Sequence, residues 1–148
     1  MLLKPSAVQR QLVGEVISRF EKKGLKIVGL KMMTLDDKTL GEHYSHLVQK
    51  PFFPEIKASM QACPIIAMVW EGLEAVEVVR MLTGATNGRK ALPGTIRGDY
   101  SVSVLENIVH TSDSVETAEI EVNRFFKKDE VFEYKSNAFA FLYIPDEC

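Results

Sequence analysis

The chain has 148 residues, of which 46% are hydrophobic and 26% charged, with a formal net charge of −2 at pH 7. That length points to one domain spanning residues 1–148, and the ordinary composition sets aside collagen-like, low-complexity and disulfide-scaffold classes. The near-neutral balance gives no broad basic surface for nucleic acid, so any anion site must be a local one.

The longest apolar run, Ile65 to Trp70, is far too short to span a bilayer, and Met1-Leu2-Leu3-Lys4 offers no signal-peptide core. No membrane association and a cytoplasmic location are therefore expected. Cys63 and Cys148 form neither a metal-ligand spacing nor a disulfide framework, and both read as free thiols.

Residues 1 to 4 read as the end of a strand, and Pro5-Ser6-Ala7 as a turn out of it. From Leu12 to Lys23 the apolar residues Leu12, Val13, Val16, Ile17 and Phe20 recur at helical spacing, with Lys22 and Lys23 in the last turn and Gly24 just after. Leu25 to Met33 is rich in β-formers and reads as a second strand. Asp36 or Asp37 can cap a short polar helix running towards Leu47, and Pro51 closes that element before Phe52-Phe53. A helix from about Pro54 to Ala62 follows.

Ile65 to Trp70, bounded by Pro64 and Gly72, has the length and continuous apolarity of a strand buried on both faces. Leu73 to Leu82 returns to helical spacing. Between Gly84 and Asp99 lies one long irregular segment with Thr86, Arg89, Lys90, Thr95 and Arg97, and a loop of that length is expected to be functional. It is not a Walker loop, since the required spacing and hydroxyl are missing. Ile108-Val109-His110 reads as the last strand, followed by a helix from Ser114 to Phe126 with Ser114 as N-cap. Residues 127–148 are too apolar for a free tail and are expected to pack on the domain or on a neighbouring subunit. Two strand-helix-strand units in series predict an α+β fold, the ferredoxin-like βαββαβ sandwich with a four-stranded antiparallel sheet and helices on one face.

The stretch Asn107 to Ser114 carries one histidine to the end of a strand among hydroxyls and a carboxylate, just ahead of a helix N-terminus. Such a place suits anionic chemistry, although an isolated histidine is more often simply packed. The wider order of motifs decides between these readings. Lys4-Pro5, Val8-Gln9-Arg10, Gly14-Glu15 to Phe20-Glu21, Glu42-His43-Tyr44, Lys50-Pro51-Phe52-Phe53, Met68 to Gly72, Pro93 to Asp99 and Asn107 to Ser114 together resemble nucleoside diphosphate kinase. The resemblance runs in unbroken order over about residues 4 to 135.

What it implies is a ping-pong transfer of the γ-phosphoryl group from a nucleoside triphosphate to a nucleoside diphosphate through a phosphohistidine at His110. A reference pKa near 6.5 leaves roughly three quarters of an imidazole neutral at pH 7, so a ring nitrogen can attack without a separate base. By the same resemblance Lys4, Arg80 and Arg97 are the cations on the phosphates and Thr86 adds a hydroxyl. Phe52 is the stacking platform for the base, with Ile56 and Val104 as the other wall, and Asn107 is the sugar-hydroxyl contact. Tyr44 is expected as a hydrogen-bond neighbour of His110, Glu121 as the carboxylate on its other ring nitrogen, and Ser112 as support for Glu121.

Mg²⁺ is expected to ride on the nucleotide phosphates, with no metal ligands from the protein. The resemblance also implies a homo-oligomer, with a hexamer favoured over a tetramer. Departures from the family pattern stand at Ser6-Ala7, His46, Leu105-Glu106 and Thr111, the last narrowing the space beside the histidine. They keep open an alternative, a catalytically silent nucleotide-binding regulatory paralogue. A third reading is an unrelated ferredoxin-like ligand-binding domain.

Overall fold

The structure, a computed structural model, describes residues 1–147. Strands β1 (Leu2–Leu3), β2 (Lys26–Met33), β3 (Ile65–Glu71) and β4 (Val109–His110) form one sheet in the order β2-β3-β1-β4. Every pairing is antiparallel, and Leu2 stands opposite both Ala67 and His110. The first and third strands are thus central and the second and fourth lie at the edges, which is the ferredoxin-like arrangement.

Alternation along the strands sends side chains to two cores. Leu3, Ile66, Met68 and Val109 pack with Val16 and Phe20 of α2 (Val13–Lys23) and Val79 of α5 (Ala75–Thr83). On the opposite face Leu2, Ile65 and Ala67 pack with Leu40 of α3 (Asp37–His43), Ile56 and Met60 of α4 (Phe53–Met60) and Phe125 of α7 (Val115–Phe125). Helices therefore cover both faces of the sheet rather than one. The physical reason was already in β3, whose first four residues are all buried and need a cover on each side. Gly24 closes α2 in the left-handed conformation at φ 104°, Asp36 caps α3 by accepting from the Thr39 N–H, and Ser114 caps α7 by accepting from the Thr117 N–H.

Several segments differ from the expectation. Pro5 opens a helix, α1 (Pro5–Gln9), rather than a turn, because proline is well suited to a first helical position and Ala7 is small enough to enter the core. The helix after Asp36 stops at His43, not near Leu47, and the chain continues in turns to Lys50. The Gly84–Asp99 segment is not irregular throughout. It holds a 3₁₀ turn at Gly88–Lys90 and the start of α6 (Ile96–Tyr100), whose N-cap Thr95 accepts from the Gly98 N–H through its hydroxyl at 3.1 Å.

Ile108 belongs to no strand. Its φ is 73°, and the Val109 N–H donates to the Asn107 carbonyl at 2.8 Å, so a tight γ-turn precedes β4. The segment after α7 begins against the domain, where the Phe132 N–H donates to the Val28 carbonyl at 2.8 Å. Further along, α8 (Phe139–Leu142) and its surroundings leave Phe141 90% and Ile144 62% exposed. Cys63 is a free thiol, and Cys148 lies outside the described residues. No described helix is long and apolar enough to cross a membrane.

Candidate active site

The C-terminal end of β4 opens into a cavity of about 700 Å³. Ten of the expected site residues line it: Lys4 from the end of β1, Tyr44 after α3, Phe52 and Ile56 at the start of α4, Arg80 and Thr86 around the end of α5, Arg97 from α6, and Val104, Asn107 and His110 on the approach to and in β4. Residues up to 106 positions apart in sequence, Lys4 and His110, are thereby brought to one wall-lined space. Glu121 and Ser112 stand behind His110 rather than in the cavity lining.

His110 Nε2 lies 2.8 Å from Glu121 Oε1, and the Ser112 hydroxyl donates to Glu121 Oε2 at 2.6 Å. Burial alone would raise the Glu121 pKa. Hydrogen bonds from its partners, His110 foremost and then Ser112, override it and bring the carboxyl down to about 2. An ionised Glu121 only accepts, so Nε2 carries the ring proton and Nδ1 keeps its lone pair. Burial lowers the His110 pKa, against the pull of Glu121, so the imidazole is neutral at pH 7.

Arg97 is 7% exposed, and its fork is fixed by backbone alone. Nε donates to the Asn107 carbonyl at 3.3 Å, Nη1 to Gly84 at 2.8 Å and Nη2 to Val109 at 2.8 Å. Three of its five N–H groups are used in this way, which leaves two for an anion. Burial, with Arg80 adding repulsion, lowers its pKa to about 10. Lys4 donates to the Leu105 carbonyl at 3.1 Å, and burial followed by the Arg97 charge brings it down to about 8, still protonated at neutral pH. Both cations are thus held desolvated beside one another. That arrangement is unfavourable until an anion arrives between them.

Asn107 Nδ2 donates to the Thr86 carbonyl at 2.9 Å, while its Oδ1 is buried with no donor among the described residues. A buried acceptor left in this way has the capacity for one more hydrogen bond. Phe52 is 48% and Val104 51% exposed on the cavity, whereas Ile56 is buried beneath. An exposed aromatic face opposite apolar side chains suits a flat ring.

One expectation is corrected. Tyr44 makes no hydrogen bond to His110 among the described residues. It follows the last residue of α3 and packs edge-on against His43 at 4.6 Å between ring centroids, with His110 6.3 Å away. Burial and the Glu121 charge raise its hydroxyl to about 12. Sequence reasoning passed over Glu55 and the backbone of Gly84, which belong to the lining or brace it, assigned Leu105 no place in the site, and gave no role to His43, whose ring lies 4.3 Å from that of His110. The available signal for His43 was its place beside Tyr44 at the end of a capped helix.

Among the described residues, the grouping of three or more His, Cys, Asp or Glu side chains close enough to share an ion is His43, His110 and Glu121. Two nitrogens and one oxygen are a poor donor set for Mg²⁺, which prefers oxygen and retained water.

The sequence profile described as nucleoside diphosphate kinase matches residues 1–131. The nucleoside diphosphate kinase of Parabacteroides distasonis is 60% identical over 147 residues, covering 99% of this chain and 96% of that protein. That of Bacillus licheniformis is 51% identical over 133 residues, with 90% of each covered. Among solved structures, the nucleoside diphosphate kinase from Halobacterium salinarum in complex with CDP superposes with a TM-score of 0.93 at 42% identity, covering 97% of this chain and 95% of its own. The chain belongs to the nucleoside diphosphate kinase family, and its activity is phosphoryl transfer between nucleoside triphosphates and diphosphates.

The buried histidines give the fold a signature in pH. Burial brings the His43 pKa to about 3 from 6.5, and His110 shifts in the same direction. In the unfolded chain both take up a proton near pH 6.5, which the folded chain resists, so stability falls as pH drops below that value, by up to about 1.4 kcal/mol per pH unit for each group. Glu121 adds its own loss only below its unfolded value of 4.5. Urea unfolding between pH 7 and 4.5 should show this decline, and His43→Phe should make it shallower. An unchanged slope in that variant would contradict a neutral, buried His43.

Proposed function

We propose that Nδ1 of His110 is the nucleophile of the kinase reaction. The observation that carries this reading is the 2.8 Å contact of Nε2 with Glu121, which commits the ring proton to the far side and leaves Nδ1 as the free nitrogen. Its lone pair attacks the γ-phosphorus in line, the bond from phosphorus to the β–γ bridging oxygen breaks, and the nucleoside diphosphate leaves with that electron pair. The ring is then a phosphoimidazolium whose Nε2 proton remains bonded to Glu121. A second nucleoside diphosphate enters, its terminal oxygen attacks the same phosphorus, and the N–P bond breaks to restore the neutral ring. Atoms and charge balance over the two half-reactions without a separate base.

The geometry supports the roles proposed for the other lining residues. Arg97, with two unused N–H groups, and the exposed Arg80 neutralise the phosphates, with Lys4 as a compact charge at the inner end and the Thr86 hydroxyl adding a donor. Charge spread over the transferring group makes such positioned cations the main source of acceleration. Phe52 stacks on the base with Ile56 and Val104 as the other wall, a mode indifferent to base identity. Asn107 Oδ1 accepts from a sugar hydroxyl, Ser112 steadies Glu121, and Tyr44 walls the cavity beside the ring. The CDP bound by the Halobacterium relative is a ligand of the class this reading requires.

Mg²⁺ reaches the site on the nucleotide phosphates and neutralises part of their charge. The cytoplasm, where the nucleotide pool and reduced thiols are found, is the proposed location. A homo-oligomer, with a hexamer favoured over a tetramer, is proposed because the chain exposes apolar side chains such as Leu92, Phe141 and Ile144. Light scattering at a hexamer mass supports that assembly, and a dimer or tetramer mass contradicts it.

Incubation with γ-labelled ATP and Mg²⁺ should give an acid-labile, alkali-stable phosphoprotein that passes its label to a nucleoside diphosphate. His110→Ala should abolish the label. Phe52→Ala should raise KM for every nucleotide by roughly 5- to 100-fold, the equivalent of one lost stacking contact. Label retained in His110→Ala, or nucleotide binding without transfer in the unaltered protein, would contradict the proposal, and the latter is the behaviour of a silent paralogue.

A further inference from the structure

His43, the last residue of α3, has a fully buried side chain and does not line the nucleotide cavity. Its ring meets three others edge to face: His110 at 4.3 Å, Tyr44 at 4.6 Å and Phe125 at 5.1 Å between centroids. Its Nδ1 faces two groups of opposite charge, 3.7 Å from Glu121 Oε1 and 3.4 Å from Arg124 Nη1. Nε2 has no partner. Burial keeps the ring neutral, with a pKa of about 3.

The placement of Arg124 makes this neutral ring consequential. Arg124 follows Glu121 by three residues on α7, a spacing at which a guanidinium and a carboxylate on one helix meet readily. If Arg124 took Glu121 Oε1, it would compete with His110 Nε2 for that oxygen and weaken its hold on the ring proton. The ring proton would then distribute over both nitrogens, and a share of molecules would carry it on Nδ1, where it blocks attack. In the structure Arg124 points instead at His43 Nδ1, and Glu121 keeps one oxygen for His110 and the other for Ser112.

We infer that His43 is a positioning residue for the nucleophile: as a buried neutral acceptor it diverts Arg124 from Glu121, and its ring edge limits rotation of the His110 imidazole. The inference rests on His110 being the phosphorylated residue. It predicts an effect on the chemical step and none on nucleotide affinity, since His43 touches no part of the cavity.

The test uses the full chain with three variants. His43→Phe keeps an aromatic ring but removes the acceptor, H43F/R124M removes the competing guanidinium as well, and His43→Gln restores an acceptor. In His43→Phe the rate of phosphoenzyme formation should fall roughly 10-fold or more, in the range typical when a group that orients a reactive imidazole is lost, with nucleotide Kd within twofold. H43F/R124M and His43→Gln should recover most of the rate.

Nitrogen-15 chemical shifts of the His110 ring provide a readout independent of turnover: one Nε2–H tautomer in the unaltered protein and a mixture in His43→Phe. An unaltered rate and tautomer in His43→Phe, a loss that R124M leaves in place, or a rise in Kd at constant rate would each overturn the inference. If the unaltered protein forms no phosphoenzyme at His110, the reading it rests on fails instead, while the tautomer comparison still tests whether His43 holds Glu121 to the ring.

Discussion

The arrangement depends on a single carboxylate with one oxygen for each of two partners. Glu121 sits on a capped helix, is 7% exposed, and is ionised because His110 and Ser112 stabilise its charge more than burial destabilises it. Were it protonated, it could donate to Nε2, and the imidazole would present a protonated Nδ1 to the cavity. The Ser114 cap that starts α7 therefore matters to chemistry as well as to folding: it sets where the helix begins, and so where the residue two turns further on points.

A second constraint acts from the other side of the ring. The γ-turn at Ile108 forces a buried, β-branched residue to φ 73°, a strain on the order of 1–3 kcal/mol that surrounding contacts must offset. The offset is visible in hydrogen bonds. Lys4 donates its backbone N–H to the Ile108 carbonyl at 2.9 Å, and Arg97 clamps the carbonyls on either side of the turn, at Asn107 and Val109. One turn thus fixes the backbone entering β4, the fork of Arg97 and the start of the helix that follows β1. The cations are built into the same frame as the histidine they surround, consistent with catalysis by positioning rather than by mobile recruitment.

Much of this was legible in the amino-acid sequence where one local signal dominates. The helical spacing of Val13, Val16 and Phe20 with Gly24 behind them marks α2, and the unbroken apolarity of Ile65 to Met68 marks a central strand. Other parts were decided by tertiary contacts. Pro5-Ser6-Ala7 resembles a turn locally but forms a helix because Ala7 fills a core position, and α6 hides in a Gly- and Pro-rich segment whose helix is only five residues long. Ordered motifs pointed to the lining of the cavity, because Lys4, Arg97 and His110 occur in recurrent short strings. His43 escaped notice because its significance lies in a three-body geometry with Glu121 and Arg124, which spacing along the chain does not express. The Tyr44 hydrogen bond failed for a related reason: adjacency in a motif fixed which residues are near the ring, not which atoms face it.

In the proposed mechanism Glu121 selects the reacting nitrogen by occupying the other one. The most direct test is to trap the phosphoenzyme formed from ATP and Mg²⁺ and assign the phosphorylated atom of His110 by phosphorus–nitrogen coupling in nitrogen-15-labelled protein. The predicted result is phosphorus on Nδ1, with Nε2 still protonated. Phosphorus on Nε2, or on a hydroxyl such as that of Ser112, would contradict the account.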